Sequence, residues 1–109
     1  MDLLKQKCVP CEGGIKPFSR EKAEEMLKEI PGWELSEDGK SISKKYRFRD
    51  FKEALAFIDK AGKIAEEEGH HPDMHLTQYK FVTVGLYTHA INGLSQNDFI
   101  LAAKIDAQV

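Results

Sequence analysis

The four histidines of the chain all lie between His70 and His89, and none precedes His70. The unperturbed pKa of histidine is about 6.5, so its imidazole can both donate and accept a proton near neutral pH. A surface or capping role would account for any one of these residues alone. Four of them in one short stretch predict acid–base chemistry at a shared site.

His70 and His71 follow a glycine that is placed to end a helix, and they precede Pro72. Proline disfavours helical backbone in the residue before it, so His71 is expected to be extended. Adjacent extended residues point in different directions, so the pair can address two parts of one ligand. Glu66 lies four residues before His70, and we expect its carboxylate to contact that ring and favour the protonated imidazole.

His89 is expected at the end of a strand, where a rigid scaffold passes into a loop and side chains become available to ligands. If that strand returns to the level of the preceding helix, His89 would lie opposite His70 and His71. His75 falls in or beside a different strand. We therefore assign it a structural role and not a catalytic one.

A metal site is the alternative, because this part of the chain supplies suitable ligand types: His70, His71, Asp73, His75 and His89. The spacing argues against it. His71 and His75 would share a face only on a continuous helix, which Pro72 disfavours, and there is no His-Glu-x-x-His motif. We expect neither a metal nor an organic cofactor.

Cys8 and Cys11 form a Cys-x-x-Cys pair in a Pro/Gly-rich stretch near the N-terminus. Such a pair is half of a structural zinc site. A redox motif would be expected to open a helix after a strand, whereas this pair lies in a predicted N-terminal arm. A metal or redox role stays open beside the favoured interpretation, a reduced arm without special chemistry.

Hydrophobic spacing and cap residues predict the elements that position these side chains. They are a helix at 19–30, strands at 33–35 and 41–48, a helix at 50–68, strands at 75–78 and 81–89, and a helix at 95–105. The order α-β-β-α-β-β-α predicts an α+β fold, with helices covering one face of a four-stranded antiparallel sheet. Asp98 is assigned chiefly to capping, because it occupies the fourth position of a capping box opened by Ser95; a direct role at the site stays open as the alternative.

The composition is typical of a single globular domain: 109 residues, 41% hydrophobic and 31% charged. We predict an N-terminal arm at residues 1–17, which carries the cysteine pair, and one domain at residues 18–109. The net charge of −2 provides no field that would recruit nucleic acid or an anionic membrane.

No apolar run approaches the roughly 20 residues that a membrane-spanning helix needs, and the first residues lack the apolar stretch of a secretory signal. We expect a soluble cytoplasmic protein.

Residues 44–49 interleave basic and aromatic side chains, as nucleic-acid surfaces can. Strand alternation explains this pattern, with Tyr46 and Phe48 facing inward while Lys45 and Arg47 face water, so direct nucleic-acid binding is not expected.

A set of short motifs gives the chain a resemblance to a known family: Gly69-His70-His71-Pro72-Asp73, Tyr79, Thr88-His89, Gly93-Leu94-Ser95 and Asp98. The chain resembles the pterin-4a-carbinolamine dehydratases. The resemblance covers residues 18–109 and includes the order of elements and Trp33 after the Pro-Gly turn. His-His-Pro combined with the later Thr-His is specific, whereas either part alone is weak.

The resemblance implies a cofactor-free 4a-hydroxytetrahydrobiopterin dehydratase, a lyase of tetrahydropterin recycling, that forms a homodimer or homotetramer. It implies a pterin pocket built from His70, His71, Pro72, Thr88 and His89, with Glu66 as support. The chemistry assigned to these residues is removal of hydroxide from C4a and of a proton from N5, which gives the quinonoid dihydropterin. We assign His70 and His89 as general acids on opposite faces of the ring. His71 then binds the pterin and assists proton removal.

The same resemblance implies an alternative function. Animal relatives also act as dimerisation partners of a homeodomain transcription factor, so the chain could be a non-catalytic binding module. A module kept only for binding would not need the three histidines, and all three are present.

Overall fold

The elements follow one another in the predicted order in the computed structural model, which describes residues 2–9 and 15–109. They are a 3-10 turn at Leu3–Lys5, α1 at Arg20–Leu27, β1 at Glu34–Leu35, β2 at Ile42–Arg47, α2 at Phe51–Glu68, β3 at Asp73–Thr77, β4 at Phe81–Leu86, a 3-10 turn at His89–Ile91, and α3 at Gln96–Asp106. The predicted α+β class and element order are confirmed.

The four strands form one antiparallel sheet in the order β1-β2-β4-β3, so β2 and β4 are central. β3 begins earlier than the predicted 75–78, because its pairing with β4 starts at Asp73 opposite Gly85. Gln78 and Tyr79 both have positive φ and form the turn between these strands. The prediction that Gln78 lies within the strand was therefore wrong.

Alternation along the central strands separates a buried face from an exposed one. Ile42 and Tyr46 of β2 are buried, as are the alternate β4 residues Val82, Val84 and Leu86. Successive side chains of a strand point to opposite faces, so this pattern buries one face of the sheet. Helices cover that face, as predicted from the sequence.

Local capping interactions set the start of the first two helices. Ser19 Oγ accepts a hydrogen bond from the backbone N–H of Lys22, and Asp50 Oδ1 accepts one from Glu53 at 2.9 Å. The first helix ends at Leu27, before the predicted residue 30, because the chain tightens there into bonds spanning three residues.

The end of α2 directs the chain toward α3. Gly69 has the left-handed conformation (φ +67°) that the sequence predicted for a helix cap. The backbone N–H of His70 then bonds to the carbonyl of Ala65 at 3.2 Å. This turn takes His70 off the helix axis, and the chain continues as extended backbone into β3.

The carboxylate of Asp106 anchors the C-terminal end of α3 against the sheet. It accepts hydrogen bonds from Trp33 Nε1 at 3.1 Å, from Lys44 Nζ at 3.0 Å and from the Tyr46 hydroxyl. Burial, together with the bond to Asp106, raises the pKa of Tyr46 above its usual range. These contacts fix the position of α3, whose other end forms part of the cavity described next.

Among the described residues, no helix combines the length and the apolar character needed to cross a membrane.

Candidate active site

A cavity of about 220 Å³ lies where the end of α2, the loop after β4 and the start of α3 meet. Its lining residues are Val9, Gly69, His70, His71, Thr88, His89, Ala90 and Asn97. The adjacent pair His70 and His71 and the distant His89 therefore line a single space. Larger cavities of about 380 and 420 Å³ elsewhere have no histidine among their described lining residues.

The cavity contains four of the residues that the sequence predicted for ligand binding: His70, His71, Thr88 and His89. Pro72 and Glu66 belong to the described part of the chain but do not line it. Pro72 is half-buried and directly precedes β3. Its position suits its effect on the backbone of His71 and gives it no contact with the cavity.

His70 is held by a buried carboxylate. Its Nε2 lies 2.6 Å from Asp98 Oδ1, and the His70 side chain is 11% exposed while that of Asp98 is 0% exposed. When the Asp98 carboxylate is ionised it can only accept hydrogen bonds, and Nε2 of His70 is then the donor of this bond. Nδ1 is left as the nitrogen of His70 that can exchange a proton with a ligand.

The other oxygen of Asp98 is also engaged. Thr88 Oγ1 donates to Asp98 Oδ2 at 2.8 Å, and the backbone N–H of Ser95 donates to the same oxygen at 3.0 Å. The Thr88 and Ser95 hydroxyls also lie 2.7 Å apart. The predicted capping role of Asp98 is therefore real, but the same carboxylate orients His70.

Glu66 contacts His71, and the expectation that it would contact His70 was wrong. Glu66 Oε2 lies 3.2 Å from His71 Nε2, and the two side chains are 72% and 63% exposed. The reason is the left-handed turn at Gly69, which directs His70 toward α3 and returns His71 to the last turn of α2. Exposed pairs of this kind contribute little to stability, because water screens them.

His89 begins a short 3-10 turn and does not end a strand, since β4 stops at Leu86. Backbone pairing of Thr88 with Gly93, at 2.8 Å from N to O, closes the loop around this turn. The exposed His89 ring packs against Tyr87 with 4.1 Å between ring centroids. His89 therefore faces the cavity from a loop that is closed at its base.

His75 lies at the centre of β3 opposite Thr83, on the exposed face of the sheet. It does not line the cavity. Within residues 2–9 and 15–109, no three His, Cys, Asp or Glu side chains are grouped so that they could hold a metal ion.

The cysteine pair can be followed only in part, because Cys11 lies outside the described residues. Cys8 is a free cysteine, and burial, with the nearby carboxylate of Glu68, raises its pKa to about 12. A thiol with this pKa is protonated at neutral pH, and a protonated thiol is a weak nucleophile.

Sequence reasoning missed three residues that shape this site: Asp98 as a partner of His70, and Val9 and Asn97 as parts of the cavity wall. For Asp98, the available signal was an acidic residue at the start of the helix that follows the His89 loop. The pairing of Val9 with Asn97 has no local signal, because the two residues are far apart in the sequence.

Comparisons with known proteins agree with this geometry. Residues 16–108 match the family model described as pterin 4 alpha carbinolamine dehydratase. A protein of Halorhodospira halophila, named as a provisional pterin-4-alpha-carbinolamine dehydratase, is 47% identical over 98% of this chain and 97% of its own length. The mitochondrial pterin-4-alpha-carbinolamine dehydratase 2 of Arabidopsis thaliana is 41% identical over 96% of this chain and 58% of its own length.

A solved structure shows the same fold. The transcriptional coactivator/pterin dehydratase from Brucella melitensis superposes with a TM-score of 0.80 at 30% sequence identity, covering 85% of this chain and 98% of that one. The family match extends over nearly the whole described domain and includes every residue of the cavity except Val9. The chain thus belongs to the pterin 4 alpha carbinolamine dehydratase family.

Proposed function

We propose that this chain is a dehydratase that converts a 4a-hydroxytetrahydropterin into the quinonoid dihydropterin and water. The observation that carries the proposal is the meeting of His70, His71 and His89 around one cavity, with His70 oriented by a buried carboxylate. The substrate class comes from the family, and the site supplies groups suited to the reaction. Tetrahydropterin recycling is the process in which this product is used.

The reaction needs one proton donor and one proton acceptor. The bond from C4a to the hydroxyl oxygen breaks with its electron pair going to oxygen, which takes up a proton and leaves as water. The proton on N5 is removed, and the electron pair of that N–H bond forms the double bond between C4a and N5. General acid–base groups positioned at the two atoms lower both barriers.

We assign His70 and His89 as general acids on opposite faces of the ring, so that each serves a hydroxyl leaving from its own face, and His71 as the residue that binds the pterin and assists proton removal. The carboxylate of Asp98 stabilises the positive charge that His70 carries when both ring nitrogens hold protons. Nδ1 can then donate toward the leaving hydroxyl. His71 has an exposed ring and an exposed carboxylate partner, which suits transfer of the N5 proton to solvent.

The experiment that tests the function is dehydration of a synthetic 4a-hydroxytetrahydropterin by the purified chain after exhaustive treatment with EDTA. We expect the chain to accelerate the reaction above the uncatalysed rate, and the chelator to leave that acceleration unchanged. Loss of activity with EDTA and its return with added zinc would show that a metal carries the chemistry. No acceleration under either condition would refute the proposed function.

We also propose that the chain assembles at least as a dimer. β3 is a five-residue edge strand, and an edge strand presents backbone groups that a second copy can pair with or cover. Light scattering at micromolar concentration is expected to give a mass of twice that of the chain or four times that mass. A monomer mass would contradict this proposal without bearing on catalysis.

A second candidate function is a binding role in transcription, favoured by the name of the Brucella protein, a transcriptional coactivator/pterin dehydratase. The two functions are separable, because substitution of the cavity histidines would abolish dehydration and leave an exposed binding surface intact.

A cytoplasmic location stays a prediction, and the name of the Arabidopsis relative places that protein in mitochondria.

A further inference from the structure

Residues 2–9 belong to the predicted N-terminal arm and alone are called the arm from here on. They contact the domain at several points. Leu3 is buried, and its 3-10 turn packs on α3. Gln6 Oε1 accepts a hydrogen bond from Gln96 Nε2 at 2.9 Å. The backbone N–H of Cys8 donates to Glu68 Oε1 at 2.8 Å.

The last described residue of the arm is held by a reciprocal amide pair. The backbone N–H of Val9 donates to Asn97 Oδ1 at 2.9 Å, and Asn97 Nδ2 donates to the carbonyl of Val9 at 2.6 Å. Asn97 is buried, so its amide group is held in place by the surrounding domain, and both bonds are part-buried. One side chain thereby satisfies both backbone polar groups of Val9 and sets the position of that residue.

An ion pair reinforces this attachment from the side of α2. Glu68 Oε2 lies 2.8 Å from Lys104 Nζ, and both side chains are largely buried. Two hydrogen bonds hold the pKa of Glu68 below its usual range: the bond from Lys104 has the larger effect and the bond from the Cys8 N–H the smaller one. The carboxylate is therefore charged at neutral pH, and protonation would weaken its hold on the arm only in acid.

The attached arm reaches the cavity of the candidate active site. Val9 and Asn97 line it together with the three histidines. Asn97 and Asp98 are consecutive residues on the first turn of α3. Asn97 holds the arm, and Asp98 holds His70. The family model matches residues 16–108. Val9, the residue that the arm contributes to the cavity wall, lies outside that range.

We propose that Val9 is a substrate-contacting residue of the pterin site and that Asn97 is the positioning residue that holds it there. This inference rests on the proposed function. Val9 is 63% exposed at the cavity edge, and a bound pterin ring would cover part of it. The contact contributes to binding in the ground state and the transition state alike, so its loss raises KM and spares kcat.

The test compares Val9→Gly and Asn97→Ala with the wild-type chain by steady-state kinetics. Val9→Gly removes the apolar contact and leaves the Asn97 amide in place, whereas Asn97→Ala releases the backbone of Val9. We expect each to raise KM by roughly 5- to 20-fold, with kcat within about threefold of wild type. The double variant should be no worse than the more damaging single variant, since both act through the same contact.

Gln6→Ala is the matched control, because it removes a bond between the arm and the same helix at a residue that does not line the cavity. Its KM should equal that of wild type. If Asn97→Ala unfolds the chain, Asn97→Asp replaces it, since it keeps the acceptor for the Val9 N–H but loses the donor to the Val9 carbonyl; its KM should also rise. Binding of a stable dihydropterin, measured by fluorescence, provides a readout besides turnover.

The outcomes separate this inference from the function on which it rests. A wild-type chain that neither binds nor dehydrates the pterin would refute the proposed function and this inference with it. An active wild-type chain whose KM is unchanged by Val9→Gly would refute the substrate contact alone. An equal rise of KM in Gln6→Ala would also refute the inference, because it would assign the effect to docking of the whole arm.

Discussion

Replacing His70 or His89 by alanine is expected to lower the rate of pterin dehydration by ~10²–10⁴-fold, which is the usual contribution of a positioned proton donor. His71→Ala is expected to lower the rate as well. The effect should be smaller, because His71 is exposed and water can accept the N5 proton in its place. His71 and His89 are exposed. Loss of the largely buried His70 ring removes one partner of the Asp98 carboxylate and lowers the free energy of unfolding, but two other donors still bond that carboxylate. Circular dichroism should therefore show folded proteins in all three cases.

His75→Ala is the internal control for this series. It removes an equally titratable imidazole from the exposed face of β3, away from the cavity. Its rate should match wild type after the uncatalysed dehydration in water has been subtracted. A harmless His89→Ala, or a His75→Ala as damaging as the cavity variants with its fold preserved, would show that the site has been assigned to the wrong residues.

Asp98→Asn is expected to lower kcat by roughly 10- to 100-fold, because second-layer partners that orient a reactive imidazole have effects of this size. The neutral amide removes the negative charge next to His70, and its NH₂ group cannot accept the bonds now made to the carboxylate. An unsatisfied buried donor costs about 1–3 kcal/mol. The free energy of unfolding should therefore fall as well, which urea titration would measure.

A double-mutant cycle distinguishes a positioning role from a merely structural one. If Asp98 acts through His70, adding Asp98→Asn to a chain that already carries His70→Ala should leave kcat nearly unchanged. Its effect on stability should persist in that background, because Thr88 and the Ser95 N–H still depend on residue 98. Fully additive losses of kcat would contradict the assignment of Asp98 as the orienting group for His70.

Much of the fold could be predicted because its signals are local. The buried alternation of Val82, Val84 and Leu86 reflects the two faces of a strand. Ser19 and Asp50 cap backbone groups only three residues away. The boundary of β3 could not be predicted in this way. It depends on the pairing of Asp73 with Gly85, which no local pattern in the strand itself reveals.

The family parallel and the histidine cluster pointed to four of the cavity residues, the three histidines and Thr88, but the partners of those residues were harder to predict. Spacing along a helix suggested that Glu66 would contact His70, and that rule holds only while the helix continues. The left-handed cap at Gly69 was itself predicted, yet its consequence for the next two side chains was not. Glu66 instead contacts His71.

The sequence by itself determined the order of elements, the buried faces and the helix caps, and it indicated which imidazoles meet at the cavity, because these features depend on residue type and on short-range patterns. Only the tertiary structure decided what orients and encloses those imidazoles. Asp98 reaches His70 across 28 residues of chain, and Asn97 reaches Val9 across 88. Such contacts exist because the first turn of α3 packs against both the end of α2 and the arm, while Asp106 anchors the other end of the helix. The packing of distant segments leaves no periodic pattern in the sequence, so these contacts could not be predicted from it.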